Sequence, residues 1–113
     1  MIHQFSAPAR ILIVGAPDIL ATCQFTSISP LLNAVAASAP TLHDLVETAE
    51  AITAKHDVVL FETDVSDDDL AALAHFVTVA QGQTKFIALV DDRLPLTKVR
   101  ALGASGADDI LPL

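Results

Sequence analysis

Short apolar runs alternate with amphipathic segments along the whole chain. Five of these runs have the composition of buried strands, at residues 10–14, 33–39, 58–61, 86–90 and 107–111. Near-continuous aliphatic runs bounded by glycine, proline or polar residues are typical of parallel strands that are covered on both faces. The pattern therefore predicts an α/β fold with a parallel sheet between layers of helices.

Four helices are predicted between the strands, because apolar residues there recur at helical spacing. They are expected after Pro17 and over residues 41–54, 66–81 and 96–102. The second and third helices start at cap-like sequences, T-L-H-D from Thr41 and S-D-D-D from Ser66. Gly82 and Gly103 are expected to end the third and fourth helices.

The pattern describes one domain, residues 1–113, with no internal repeat or linker. The fifth strand is the last predicted element, so the fifth helix that would normally cover the sheet is absent. We therefore expect the chain to be a fragment of a longer protein, or another surface to cover that face of the sheet.

The charge and the apolar pattern exclude several partners. Six Lys and Arg stand against fourteen Asp and Glu, and a formal charge of -8 repels a phosphate backbone, so a nucleic acid partner is not expected. No apolar run approaches the roughly 20 residues that cross a bilayer, and no secretion signal is visible at the start. A cytoplasmic protein without membrane insertion is expected. Cys23 is the only cysteine, which excludes an internal disulfide.

Enzymatic chemistry is not expected at the edge where α/β proteins bind ligands, the carboxyl ends of the strands. The turn VGAPDIL has one glycine, so it matches neither a dinucleotide fingerprint nor a P-loop. No serine or cysteine nucleophile is predicted beside a histidine, and the four histidines lack metal-ligand spacing to one another. We therefore predict no catalytic residue, no cofactor and no metal.

Four stretches carry a resemblance to a known family: RILIVGAP, HDVVLFETDVS, FIALVDD and ALGASGADDILPL. They are similar to the first strand, the third strand with its phospho-acceptor loop, the fourth strand and the ending of response-regulator receiver domains, the CheY-like family. The resemblance implies a doubly wound, five-stranded parallel sheet of the flavodoxin type, in the order 2-1-3-4-5. The chain also resembles the receiver-like domains at the N-terminus of the MinD-like ATPases of Tad-type pilus assembly, although it contains no ATPase motif.

The same resemblance implies a degenerate phosphorylation site, because most of the family's functional positions carry other residue types here. These positions are Gly15 and Ala16 for the two metal-binding acids, Glu62 for the phospho-acceptor aspartate, Val90 for the switch hydroxyl, Ile110 for the aromatic switch and Leu113 for the phosphate-pairing lysine. Phosphoryl transfer depends on a metal ion and a cation that offset the developing charge. The family's site would then be a non-phosphorylatable remnant in which Glu62 is vestigial or structural.

Two alternatives concern the acidic residues at this edge. Glu62 or Asp64 could be an atypical phospho-acceptor in a working two-component receiver. Glu62, Asp64, Asp91 and Asp92 could also converge on a cation, since clustered carboxylates sometimes bind metal. Otherwise Asp64 and residues 67–69 favour the positive N-terminus of the third helix, while Asp91 and Asp92 occupy a solvated turn.

Two surfaces are candidates for protein contacts. Four of the six basic residues, Lys85, Arg93, Lys98 and Arg100, lie on strand four, the loop after it and helix four. The corresponding face of receivers is a common partner and dimer surface, so the resemblance implies docking there. The alternative is that these cations are scattered in solvent.

The third helix offers a second candidate surface. Ala72, Phe76 and Val79 form an apolar line beside the inward-facing positions, as in a homodimer surface, unless a neighbouring loop or helix covers them. The function expected from the sequence is a receiver-like module for protein contact or dimerisation in signal transduction or in pilus assembly and localisation.

Overall fold

The computed structural model describes residues 10–15, the backbone of residues 33–36, and residues 41–112. Five parallel strands form one sheet in the order β2-β1-β3-β4-β5. The strands are β1 (Arg10–Val14), β2 (Asn33–Ala36), β3 (Val58–Glu62), β4 (Lys85–Val90) and β5 (Asp109–Pro112). This confirms the predicted fold class and strand order. Parallel pairing requires crossover connections, which agrees with the predicted alternation of strands and helices.

Three α-helices and one 3₁₀ segment lie among the described residues. The 3₁₀ segment (His43–Thr48) leads into α1 (Ala49–Lys55), and α2 (Asp67–Ala80) and α3 (Leu96–Ser105) follow β3 and β4. The helix predicted over residues 41–54 therefore begins as a 3₁₀ segment, and Thr48 has a non-helical ψ of 18° where the geometry changes. The helix predicted after Pro17 lies outside the described residues. None of the described helices has the length and apolar character needed to span a membrane.

The helix ends follow local chemistry that the sequence signals in part. Ser66 caps α2 as predicted, with its Oγ accepting a hydrogen bond from the Asp69 N–H at 3.2 Å. At the other end of α2, Gln81 and Gly82 both have positive φ. The prediction that Gly103 ends the fourth helix is wrong, because α3 continues to Ser105 and the left-handed residue is Gly106, with φ +113°.

The main core lies between one face of the sheet and the described helices. Phe61 and Phe86 of the sheet and Leu73, Phe76 and Leu102 of the helices are all at most 1% exposed. The rings of Phe76 and Phe86 meet edge to face, with centroids 6.1 Å apart. The opposite face of the sheet carries a second buried cluster of Ile11, Ile13, Leu60 and Leu89.

This packing corrects the prediction of a dimer surface on the helix that follows β3. Ala72 is 3% exposed and Phe76 is 0% exposed, and both belong to the main core, while Val79 is half-buried against it. The buried face of α2 is therefore wider than one helical stripe, because α1 and the 3₁₀ segment also pack against this helix. Ala72 and Phe76 are not available to a second copy of the chain.

Aspartates placed just before two strands extend the hydrogen bonding of the sheet at its amino edge. Asp57, before β3, accepts the Arg10 N–H at 2.9 Å and pairs with its guanidinium at 3.1 Å. Asp108, before β5, accepts the Phe86 N–H at 2.8 Å. These contacts fix one edge of the sheet, and the candidate site lies at the other.

Candidate functional site

The carboxyl ends of β3 and β4 border a cleft of about 1010 Å³, at the edge where this type of sheet binds ligands. Six carboxylates are among its described lining residues: Glu62, Asp64, Asp68, Asp69, Asp91 and Asp92. The described basic side chains in the lining are Arg93 and His43. The cleft is therefore strongly acidic, as the position of these residues after the strands predicts.

Of the positions that the resemblance assigns to a receiver's phosphorylation site, Glu62 lines this cleft, and the other described ones lie at the strand ends outside its lining. Gly15 follows β1 and has no side chain to bind a metal ion. Glu62 is the last residue of β3 and is half-buried beside Leu89 of β4. Val90, at the end of β4, is 5% exposed and packs into the main core, and Ile110 is half-buried against the same core. Ala16 and Leu113 lie outside the described residues.

The loop between β3 and α2, residues 63–66, is closed by side-chain hydrogen bonds. The Thr63 hydroxyl accepts the Val65 N–H at 2.9 Å, and the Asp64 carboxylate accepts the Ser66 N–H at 3.1 Å. The Thr63 N–H donates to the carbonyl of Leu89 at 3.1 Å, which attaches the loop to β4. Such local side-chain contacts are what Asp, Ser and Thr supply in turns.

Asp69, in the first turn of α2, is buried although it is a carboxyl group. It is 6% exposed and accepts a hydrogen bond from the Thr63 hydroxyl at 2.7 Å. Burial raises the pKa of Asp69 above its usual range, and the bond from Thr63 offsets only part of this effect. Asp69 is therefore different from Asp67 and Asp68, which are exposed on the same turn.

The turn after β4 is organised by one ion pair. The Asp91 carboxylate accepts the Arg93 N–H at 2.9 Å and lies 3.4 Å from the Arg93 Nε. These two contacts hold the pKa of Asp91 below its usual range. The pair is exposed, with side-chain exposures of 59% for Asp91 and 87% for Arg93, so it contributes little to stability.

The carboxylates do not form the cation site that was considered from the sequence. Among residues 10–15, 33–36 and 41–112, no group of three or more His, Cys, Asp or Glu side chains is placed to hold a metal ion. Asp64 is turned towards the Ser66 N–H and Asp91 towards Arg93. The proposed convergence of Glu62, Asp64 and Asp91 on one cation is therefore not found.

The four basic residues that were predicted to form one partner face are exposed, but they do not lie together. Lys85 begins β4 and Arg93 follows its end, and the strand between them is about 16 Å long at roughly 3.3 Å per residue. On α3, Arg100 is four residues from Leu96 and shares its side of the helix, whereas Lys98 is two residues away and does not. Leu96 is 61% exposed and is the large apolar residue that the described surface leaves open.

Two features of this edge were missed by sequence reasoning. Asp69 was interpreted as one of several acids that favour the positive N-terminus of a helix, and Thr63 received no role. The S-x-x-D cap that begins at Ser66 places Asp69 on the first turn, but only the packing of α2 shows that the Asp69 side of this turn faces inward. The exposure of Leu96 was also not predicted, since the apolar spacing of residues 96–102 was used only to predict a helix.

Comparison with models of known protein families finds no match, and none of the curated proteins is similar to the chain in sequence. Solved structures do match. A receiver domain from Methanospirillum hungatei, described as CheY-like, superposes with a TM-score of 0.68 at 19% identity, over 94% of this chain and 82% of that chain. The protein therefore has the fold of CheY-like receiver domains, which confirms the fold that the resemblance implies.

Two further structures with this fold come from pilus assembly proteins. A pilus assembly-related protein of Burkholderia pseudomallei has a TM-score of 0.77 at 15% identity, over 99% of this chain and 81% of that chain. A pilus assembly protein, CpaE, of Burkholderia thailandensis has the same TM-score and identity, over 92% of this chain and 84% of that chain. Both TM-scores exceed that of the Methanospirillum receiver domain.

Proposed function

We propose that this protein is a non-phosphorylatable receiver-like module that acts by contact with a protein partner or with a second copy of itself. The observation that carries the proposal is the chemistry at the carboxyl ends of the strands, where the cleft is acidic and the positions that the resemblance assigns to a metal-binding acid and a switch hydroxyl are Gly15 and the buried Val90. Its setting would be signal transduction or pilus assembly and localisation. The likeness to the two Burkholderia pilus assembly structures supports the second setting.

Electrostatics argue against phosphoryl transfer at this edge. A phosphoryl donor brings negative charge to six carboxylates, and the transfer needs cations placed at the oxygens where charge develops. Arg93 is the permanently charged cation among the described lining residues, and Asp91 already binds it. Val90 is a buried apolar side chain that cannot form a hydrogen bond to a phosphoryl group.

The second candidate is a phospho-receiver with an unusual acceptor. Glu62 favours it, since a carboxylate remains at the acceptor position and lines the cleft. Asp64 is a weaker acceptor candidate, because one of its oxygens accepts the Ser66 N–H at 3.1 Å.

Treatment with acetyl phosphate separates these two functions. We expect no phosphoryl mass increase when the chain is incubated with Mg²⁺ and acetyl phosphate, and no amide shifts at residues 62–66 with beryllofluoride. A receiver domain with all of its acids serves as the positive control in the same reaction. A mass increase that is lost in Glu62→Gln or in Asp64→Asn would establish the phospho-receiver instead.

The surface that best fits partner contact is the outward side of α3 around Leu96 and Arg100. An exposed leucine beside an arginine combines apolar area with charge, and arginine is enriched in protein interfaces. Arg93 precedes the same helix, but its charge is paired with Asp91. Lys85 lies at the other end of β4 and is not part of this surface.

Sedimentation at micromolar concentration tests this surface for self-association. We expect a concentration-dependent dimer that Leu96→Glu weakens at least tenfold, because a buried leucine contributes about 1.5–3 kcal/mol to apolar contact. Lys85→Glu is the matched control, since it changes charge at a distant exposed position and should leave the dimer unchanged. A monomer at all concentrations would contradict self-association. The module would then act through a different protein.

A further inference from the structure

The loop between β3 and α2 contains a backbone conformation that its sequence disfavours. Val65 has φ +60°, in the left-handed region. A β-branched residue rarely occupies this region, because its Cβ substituents crowd the backbone. Such a conformation persists where surrounding contacts enforce it, and it is often found at sites that change shape.

Two contacts enforce the conformation of Val65. Its side chain is 5% exposed and packs into the main core. Its N–H donates to the Thr63 hydroxyl, and the same hydroxyl donates to Asp69 at 2.7 Å. One hydroxyl group therefore connects the strained residue to the first turn of α2.

The carboxyl group at the end of this connection is buried among other titratable groups. Asp64 and Asp44 of the neighbouring loop and 3₁₀ segment disfavour a negative charge on Asp69, and His43 favours it. Burial has the largest effect and stabilises the neutral acid. If the loop opened, water would hydrate Asp69 and the ionised form would be favoured again.

We propose that the β3–α2 loop is a proton-operated latch, which stays closed while the carboxyl group of Asp69 is neutral and opens more often when that group is ionised. Opening releases the Val65 strain, frees the Ser66 cap and moves Asp64 on the rim of the cleft. The acidic edge that a partner meets would then depend on pH. This inference goes beyond the proposed function and does not depend on it.

The direction of the pH effect follows from linkage. The pKa of Asp69 is raised in the closed loop and returns towards its usual value in the open loop. The closed loop therefore has its full advantage below the usual carboxyl range and loses it as the pH rises through the closed-state pKa. Local opening should accordingly increase with pH.

Amide hydrogen exchange of the whole chain tests the latch, because it measures local opening separately from global unfolding. The protection of the Val65 N–H, corrected for the intrinsic exchange rate, should fall as the pH is raised from the usual aspartate range upward. Leu60, in the middle of β3, reports global unfolding and should stay more protected. Equal protection of Val65 and Leu60 across this range would overturn the proposal.

Three variants distinguish the latch from a merely structural hydrogen bond. Asp69→Asn cannot ionise but can still accept from Thr63, so its Val65 opening should no longer depend on pH. Asp64→Asn is the matched control and should keep the dependence. Thr63→Val should increase opening about tenfold at all pH values, since it removes both hydrogen bonds of the hydroxyl. A pH dependence that survives in Asp69→Asn would overturn the proposal.

A second measurement needs no variant. The side-chain ¹³C shift of Asp69 in the unmodified chain should titrate above the usual aspartate range, and a midpoint within or below that range would also overturn the latch.

Discussion

Replacement of Phe76 by alanine is expected to lower the free energy of unfolding by about 3–5 kcal/mol. Phe76 is 0% exposed and its ring meets Phe86 edge to face, so the change removes both apolar burial and an aromatic pair. The cavity would lie between α2 and β4, in the middle of the main core. Urea denaturation followed by circular dichroism measures the loss.

His75→Ala is the matched control for this change. His75 is exposed on the same helix, so its replacement by a good helix former should leave the stability within about 0.5 kcal/mol of the parent. If Phe76→Ala left stability unchanged but disrupted a dimer, the result would favour the alternative in which Phe76 lies on a dimer surface.

Replacement of Gly106 by alanine is expected to cost about 2–4 kcal/mol, because two unfavourable effects add. The residue has φ +113°, which side chains rarely tolerate. An added Cβ would also lie 2.7 Å from Cγ2 of Val77 on α2, and valine in a helix has little freedom to rotate away. Thermal and urea unfolding should both show the loss.

Gly103→Ala provides a control of the opposite sign in the same helix. An added Cβ at Gly103 meets nothing within 4 Å, and the residue lies within α3. Alanine there should stabilise the protein by roughly 0.5–1 kcal/mol, because glycine is a poor helix former. Equal effects at the two positions would contradict the assignment of the helix end to Gly106.

The acidic edge shows that a receiver-type fold can be combined with a different site chemistry. The fold is that of receiver domains, and in the proposed function Val90 and Gly15 stand where a hydroxyl and a carboxylate would be expected. A fold can retain its architecture while the chemistry of its site changes, since packing and site residues occupy different positions. Contact through α3 and movement of the β3–α2 loop need no phosphoryl group.

Much of the architecture follows from local patterns in the sequence. Continuous apolar runs such as residues 58–61 predict strands that are buried on both faces, and cap residues such as Ser66 predict helix starts. Both signals depend on near neighbours in the chain, so they can be recognised from the sequence without knowledge of the fold. The acidic cleft was predicted for the same reason, because parallel strands bring their carboxyl ends to one edge.

Tertiary packing decided what these local signals leave open. Helical spacing left the burial of Phe76 open and did not address the exposure of Leu96, and the placement of α2 and α3 against the sheet buried the first and exposed the second. The helix α3 continues past Gly103 and ends at Gly106, whose backbone N–H bonds back to the last turn in a left-handed conformation. The burial of Asp69 beside Thr63 depended on how far α2 turns towards the core. Burial is a property of the contacts between elements, whereas periodicity describes one element at a time.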